Sequence, residues 1–148
     1  MTVELIQASV HDKAVLRRLL QLYHYDFSEW NGDDVDEHGE FAHLYLDHYW
    51  TDPGSRPFLI RRADRWAGFA LVRTGAVHDM SEFFIMRKFR RAAVGREAAR
   101  LLFQLFPGDW EIRQLHGNEA ATRFWRAVIP AGYAETTTPQ GPVQRFTA

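Results

Sequence analysis

The sequence predicts a mixed α/β chain of the α+β kind, a twisted sheet with helices packed on it. Three observations carry that reading. Short apolar runs typical of strands fall at 57–75, 80–86, 110–115 and 132–146. Between them, apolar residues recur at helical spacing. Breakers such as Asp52-Pro53-Gly54 and Pro107-Gly108-Asp109 separate the segments.

Residues 3–7, VELIQ, read as a first strand. Ser9 offers a cap, and Leu16, Leu19, Leu20, Tyr23 and Phe27 then mark one face of a helix. Residues 30–40, WNGDDVDEHGE, form an acidic loop, and a second, aromatic helix runs from Phe41 to Trp50. The stretch 57–75 is a hairpin turning at Arg62-Ala63-Asp64-Arg65, and MSEFFIM is a strand. The next helix carries Val94, Ala98, Leu101, Leu102 and Leu105 on one side. WEIRQL is a fifth strand, Asn118 caps a helix ending near Ile129-Pro130, and Gly132-Tyr133 opens a final strand pair.

The chain has 148 residues, so one domain spanning 1–148 is expected. A chain of this size buries roughly 70% of its unfolded surface. Its composition, 46% apolar and 25% charged, is that of a soluble globular protein. A net charge of −1 argues against bulk attraction to nucleic acid or membrane. The absence of cysteine excludes disulfides, thiolate zinc sites and a cysteine nucleophile. The opening MTVELIQASV is too polar for a signal segment, and no apolar run approaches a membrane span. A cytoplasmic location is the expectation.

One stretch concentrates chemistry: FFIMRKFRRAAVGREAARLL, Phe83 to Leu102. It joins an apolar strand, a cationic cluster and a helix start. Unpaired amides at a helix N-terminus, aided by the helix dipole, bind anions. Ala92, Ala93 and Gly95 keep that turn small, and Arg90, Arg91 and Arg96 add charge suited to phosphate. The residues alone leave two readings open, a phosphate cradle or an amphipathic helix with solvated arginines.

Two local patterns resolve the choice by resemblance. Arg90-Arg91-Ala92-Ala93-Val94-Gly95 is similar to the Arg/Gln-x-x-Gly-x-Gly/Ala motif of the GNAT superfamily of acetyl-CoA-dependent acetyltransferases. Asn118-Glu119-Ala120-Ala121-Thr122-Arg123-Phe124-Trp125, followed by Gly132-Tyr133, resembles that superfamily's second pattern. The resemblance covers nearly the whole chain. It implies a central, mostly antiparallel sheet of six to seven strands flanked by about four helices, with strands four and five splayed. It implies acetyl-CoA as co-substrate, its pyrophosphate on the amides from Ala92 to Arg96 and its pantetheine arm along Phe83, Phe84 and Ile85. Asn118 matches a position that contacts the cofactor, and as a helix cap it has a second reading. A homodimer is an assembly such proteins often form.

The sequence departs from the pattern twice. Ala93 replaces the first motif glycine, at little cost if its φ stays negative. Trp125 replaces the tyrosine that often protonates the CoA thiolate, and indole has no proton to give.

The implied reaction is direct attack of a primary amine on the thioester, which needs a base and an oxyanion donor. Glu82 is the candidate base: it opens the run FFIM, and partial burial there raises a carboxyl pKa. It alternates onto one face with Phe84 and Met86. The other readings are a solvated strand end or a partner for a nearby arginine. A backbone N–H near Phe84 or Ile85 serves the oxyanion.

The resemblance places the acceptor pocket around Tyr23, Tyr25, Asp26, Phe27, Trp30, Asp33, Asp34, Asp36, Glu37, Tyr45 and Tyr49. These residues suit a cationic amine, or else form a core stripe and a solvated loop. His38, His43 and His48 are five apart, about 140° on a helix, so no metal site is expected. A non-catalytic acyl-CoA-binding protein is the alternative that Trp125 raises. A nucleic-acid module using the arginine cluster is the third, disfavoured by the net charge.

Overall fold

The computed structural model describes residues 2–43 and 46–148, apart from the side chain of Arg91. Strand β1, Val3–Gln7, leads to a 3-10 turn at Val10–Asp12 and then helix α1, Lys13–Asn31. Ser9 and Asp12 cap that turn reciprocally, side chain to backbone. Leu16, Leu19 and Leu20 are buried, as the helical spacing requires.

The expected second helix does not form among the described residues. Phe41 to His43 are irregular, and Leu46–Trp50 makes a single 3-10 turn. It buries Leu46 and Tyr49, spaced by three as a 3-10 turn demands. The described residues therefore hold three α-helices rather than four.

Strands β2, Ser55–Arg62, and β3, Arg65–Arg73, form the expected hairpin. Its two-residue turn has positive φ at both Ala63 (50°) and Asp64 (63°), the geometry that matches strand twist. Strand β4, His78–Ile85, is followed by a 3-10 turn at Arg87–Ala92 and helix α2, Val94–Leu105. Strand β5, Asp109–Arg113, helix α3, Glu119–Val128, and strands β6, Ala134–Thr138, and β7, Gly141–Thr147, complete the chain.

All seven strands join one sheet in the order β1-β2-β3-β4-β5-β7-β6. Only β4 and β5 are parallel, joined by the α2 crossover. One face packs on α1 through Leu16, Leu20, Leu59, Phe69, Leu71 and Phe84. The other packs on α2 and α3 through Ile60, Val72, Val94, Leu102, Trp110 and Trp125. No described helix is long and apolar enough to cross a membrane.

A bulge in β4 decides what faces what. Leu71 pairs with Glu82 and Val72 with Met80, so Ser81 is the extra residue. The insertion reverses the alternation. Met80 lies in the core beneath α2, while Glu82, two residues on, turns to the α1 face with Phe84.

Candidate functional site

The opening lies between β4 and β5. These strands share only two register pairs, His78 with Trp110 and Asp79 with Glu111. Beyond them β5 pairs with β7 alone and β4 with β3 alone. The Met86 amide donates to the Ala67 carbonyl at 2.8 Å, and Gly68 lies opposite Ile85. In an antiparallel ladder this phase turns the backbone groups of Phe84 toward β3. Those of Phe83 and Ile85 turn into the opening. The strand edge expected at Phe83, Phe84 and Ile85 thus narrows to its outer two residues. The Ile85 carbonyl already accepts from Arg90 Nε at 2.7 Å.

At the end of that edge stands the N-terminus of α2. Ala93 joins it to the preceding 3-10 turn with φ 59° and ψ 18°. The condition under which alanine costs little here, a negative φ, is not met. The chain must reverse between two helical segments within one residue, and the left-handed conformation does so at a cost of about 1–2 kcal/mol for an L-residue. No side chain caps α2, so its first-turn amides have no intrahelical acceptor. Ala92, Ala93 and Arg96 are exposed, whereas Val94 and Gly95 are buried. A Cβ on Gly95 would lie 3.1 Å from the Phe124 ring and 3.4 Å from Ile85. A larger residue there would make the Phe124 and Ile85 side chains give by a few tenths of an ångström where α2 approaches α3 and β4.

The cations of this corner are partly neutralised. Asp26 on α1 accepts from Arg87 at 2.6 Å and from Arg90 at 2.7 Å. Burial works against its ionised form, but the two guanidiniums prevail and hold its carboxyl below the usual range. Asp26 is therefore a clamp between α1 and the turn after β4, not a free acidic group for an acceptor. Arg100 pairs with Glu97 at 2.5 Å. Arg96 makes no ion pair among the described residues, so its charge remains at the helix start.

Aromatic rings floor the opening on the α3 side. Phe83 stacks on Phe124, with centroids 5.8 Å apart, and meets Trp125 edge-on at 5.0 Å. Trp125 is buried. Asn118, also buried, accepts the Ala121 amide at 3.2 Å and so acts as the cap of α3.

On the α1 face sits Glu82. Its Oε2 is buried without a hydrogen-bond partner, and burial alone pushes its carboxyl up to about 7. Among the described residues no arginine side chain pairs with it. His43 Nε2 lies 3.7 Å from Oε2. His43 Nδ1 in turn is 2.9 Å from His24 Nε2. Burial lowers the pKa of both imidazoles, and each favours the neutral form. Tyr23 and Tyr49 border the same carboxylate. Burial first, and the Glu82 charge second or third, raises both phenols.

The residues expected around an acceptor divide. Tyr23 packs on Phe84 at 5.8 Å and on Phe27 at 5.4 Å, and Phe27 meets Trp30 at 6.2 Å. The Trp30 ring reaches within 4.0 Å of where a Gly117 side chain would begin. An aromatic row thus runs from β4 to the loop after β5. Tyr25 is 67% exposed. Asp36 Oδ1 accepts the amides of His38 and Glu40, and Asp33 bonds Asn31, so both build the loop. Asp34 and Glu37 are exposed, and Tyr45 lies outside the described residues. A cavity of about 230 Å³ lies under this loop, with Gln21, Asp36, Glu40 and His43 on its wall. A larger one, about 730 Å³, lies between the first residues of β5 and the loop after α3, away from the opening.

His24 and His43 are the site residues that sequence reasoning missed. His43 entered only as a rejected metal ligand and His24 not at all. They are nineteen positions apart on a helix and a loop, and no local pattern signals their contact.

This seven-stranded sheet, parted between β4 and β5, is the GNAT acetyltransferase fold. An acetyltransferase from Thermus thermophilus matches all of this chain and 97% of its own, with a TM-score of 0.76 and 16% identity. PaiA N-acetyltransferase from Thermoplasma acidophilum, solved with coenzyme A, matches with a TM-score of 0.68 and 9% identity over both whole chains. The ribosomal-protein-S18-alanine N-acetyltransferase from Escherichia coli gives 0.66 and 12%, covering 99% of this chain and 94% of its own. No family model and no curated protein sequence matches the chain.

Proposed function

We propose that the protein is an acetyltransferase that moves an acetyl group from acetyl-CoA to a primary amine by direct attack in a ternary complex. The supporting observation is the juxtaposition on one strand. The backbone of Phe83 and Ile85 faces an unpaired edge, the uncapped start of α2 follows it, and the half-buried Glu82 stands beside it with its Oε2 out of solvent. In this reading the amides from Ala92 to Arg96 hold the diphosphate, with Arg96 adding charge. The strand edge pairs with the pantetheine arm.

Amines are protonated at neutral pH, so the attacking nitrogen must lose a proton. Glu82, pushed up to about 7, is poised to accept it. A backbone N–H of Phe83 or Ile85 stabilises the charge that develops on the carbonyl oxygen. The C–S bond then breaks, CoA leaves as a thiolate without help from an acid, and the proton still on the newly acylated nitrogen passes to water or to that thiolate. Departure without an acid suits a site where Trp125 supplies none. The aromatic row and nearby loop favour a cationic acceptor, by cation–π contact with Tyr23, Phe27 and Trp30.

Thiol release from acetyl-CoA across a panel of primary amines tests this. Release with at least one amine, rising with pH through about 7, is expected. A second reading, a non-catalytic acyl-CoA-binding protein, draws on Trp125. Tight acetyl-CoA binding with no thiol release across the panel would favour it.

A further inference from the structure

Glu82 poses a physical problem. A carboxylate buried without a donor resists ionisation, yet a base must ionise to act. The groups that face it come from three elements. Tyr23 stands on α1 with His24 behind it, His43 lies in the following loop, and Tyr49 in the 3-10 turn. β3 offers only apolar Leu71 opposite, and Asp79 on β4 is taken by Ser81 at 2.9 Å. Asp26 is neutralised by Arg87 and Arg90. Asp33 is the acid that faces His24.

A neutral imidazole carries one N–H and one bare nitrogen, and the hydrogen bond at one nitrogen decides the state of the other. Of the two arrangements the His24–His43 contact permits, one has His24 Nε2–H donating to His43 Nδ1. His43 then carries its proton on Nε2, the atom facing Glu82.

We propose that His24 and His43 are positioning residues for Glu82: His24 fixes the tautomer of His43, whose Nε2–H becomes the donor for the unpartnered Oε2. The 3.7 Å separation is a few tenths of an ångström beyond hydrogen-bond reach, and contacts of this kind tighten when a site is loaded. A neutral donor suits a base. A cation at this distance would hold Glu82 ionised far below neutrality and leave it weakly basic, whereas an imidazole N–H eases ionisation modestly from the value that burial alone sets and keeps affinity for a proton. The burial that keeps both imidazoles neutral supports this arrangement. The inference rests on the reading of Glu82 as the base.

Nuclear magnetic resonance tests it without any acceptor, on the full chain labelled with ¹⁵N-histidine and ¹³C-glutamate. In the unaltered protein, His43 is expected to carry its proton on Nε2 and none on Nδ1. The His43→Phe variant is expected to raise the Glu82 titration midpoint by about 1–2 pH units, because a hydrogen bond to the charged form is lost. His24→Phe should raise it less. His43→Gln, whose amide restores an N–H, should return it toward the unaltered value. A proton on His43 Nδ1, or an unmoved midpoint in His43→Phe, would overturn the proposal. The tautomer measurement decides the matter even if a variant fails to fold. The two readings fail separately. Full turnover in Glu82→Gln would remove the base and leave these titrations untouched, while unmoved titrations would remove the pair and leave the base.

Discussion

Two carboxylates on opposite sides of the β4–β5 opening show how differently one chain can treat the same group. Glu135 on β6 accepts both arms of Arg126, at 2.9 and 2.7 Å, and the Gln144 amide at 2.8 Å. Those bonds pull its pKa down to about 2. Gln144 also exchanges amide hydrogen bonds with Gln114 at 2.6 and 2.8 Å, so this network ties α3, β6 and β7 to the residue that follows β5. Glu82 has burial but no partner, and rises to about 7. The satisfied acid stabilises the fold. The unsatisfied one costs stability, as expected where a group is kept for chemistry.

The signs of pH dependence are opposite. Between pH 4.5 and about 7 the folded state holds a proton on Glu82 that the unfolded chain has lost. Stability from this group therefore falls as pH rises through that window and stays low above it. Glu135 binds its proton more weakly folded than unfolded. Its contribution is present above pH 4.5 and is lost as pH falls toward 2.

Glu82→Gln should break the contrast most. Turnover is expected to fall at least about 100-fold, the loss of a general base. Stability at about pH 8 should rise at the same time, by at most about 3 kcal/mol for a shift from 4.5 to about 7. Rate assays and urea denaturation at about pH 5 and about pH 8 read both effects, and most of the stability gain should be gone at the lower pH.

Gln144→Leu probes the other side. It leaves the buried Gln114 amide without its partner and should cost about 1–3 kcal/mol, with acetyl-CoA affinity unchanged. A loss of affinity equal to the loss of stability would mean that the two regions are coupled.

Ala93→Gly should have the smallest effect. It relieves the left-handed backbone at the corner and should add about 0.5–1 kcal/mol by thermal denaturation, since glycine's greater unfolded entropy offsets part of the gain. A destabilised variant would mean that Ala93 is not strained.

The order of elements was legible because it depends on local signals. Proline–glycine breakers, period-two runs and the Leu16–Leu20 stripe act within a few residues. The Phe41–Trp50 segment misled because an aromatic run spells burial without spelling helix length. What stayed hidden depends on distant pairing. The Ser81 bulge shows only in register with Leu71 and Val72. Asp26 meets Arg87 and Arg90 across more than sixty residues, a pairing that no local pattern signals, and the resemblance had placed it at the acceptor. The φ of Ala93 follows from how two helical segments join. The burial of the Glu82 carboxyl was legible because its position at the start of an apolar run already spells it.

The central claim is that the β4 edge and the start of α2 form one binding surface. Titrating acetyl-CoA into the ¹⁵N-labelled chain, with calorimetry alongside, tests it most directly. The account predicts saturable one-to-one binding, with the largest amide shifts at Phe83, Ile85 and Val94 to Arg96. No heat at high micromolar concentration, or shifts confined to the cavity beside β5 and β7, would contradict it.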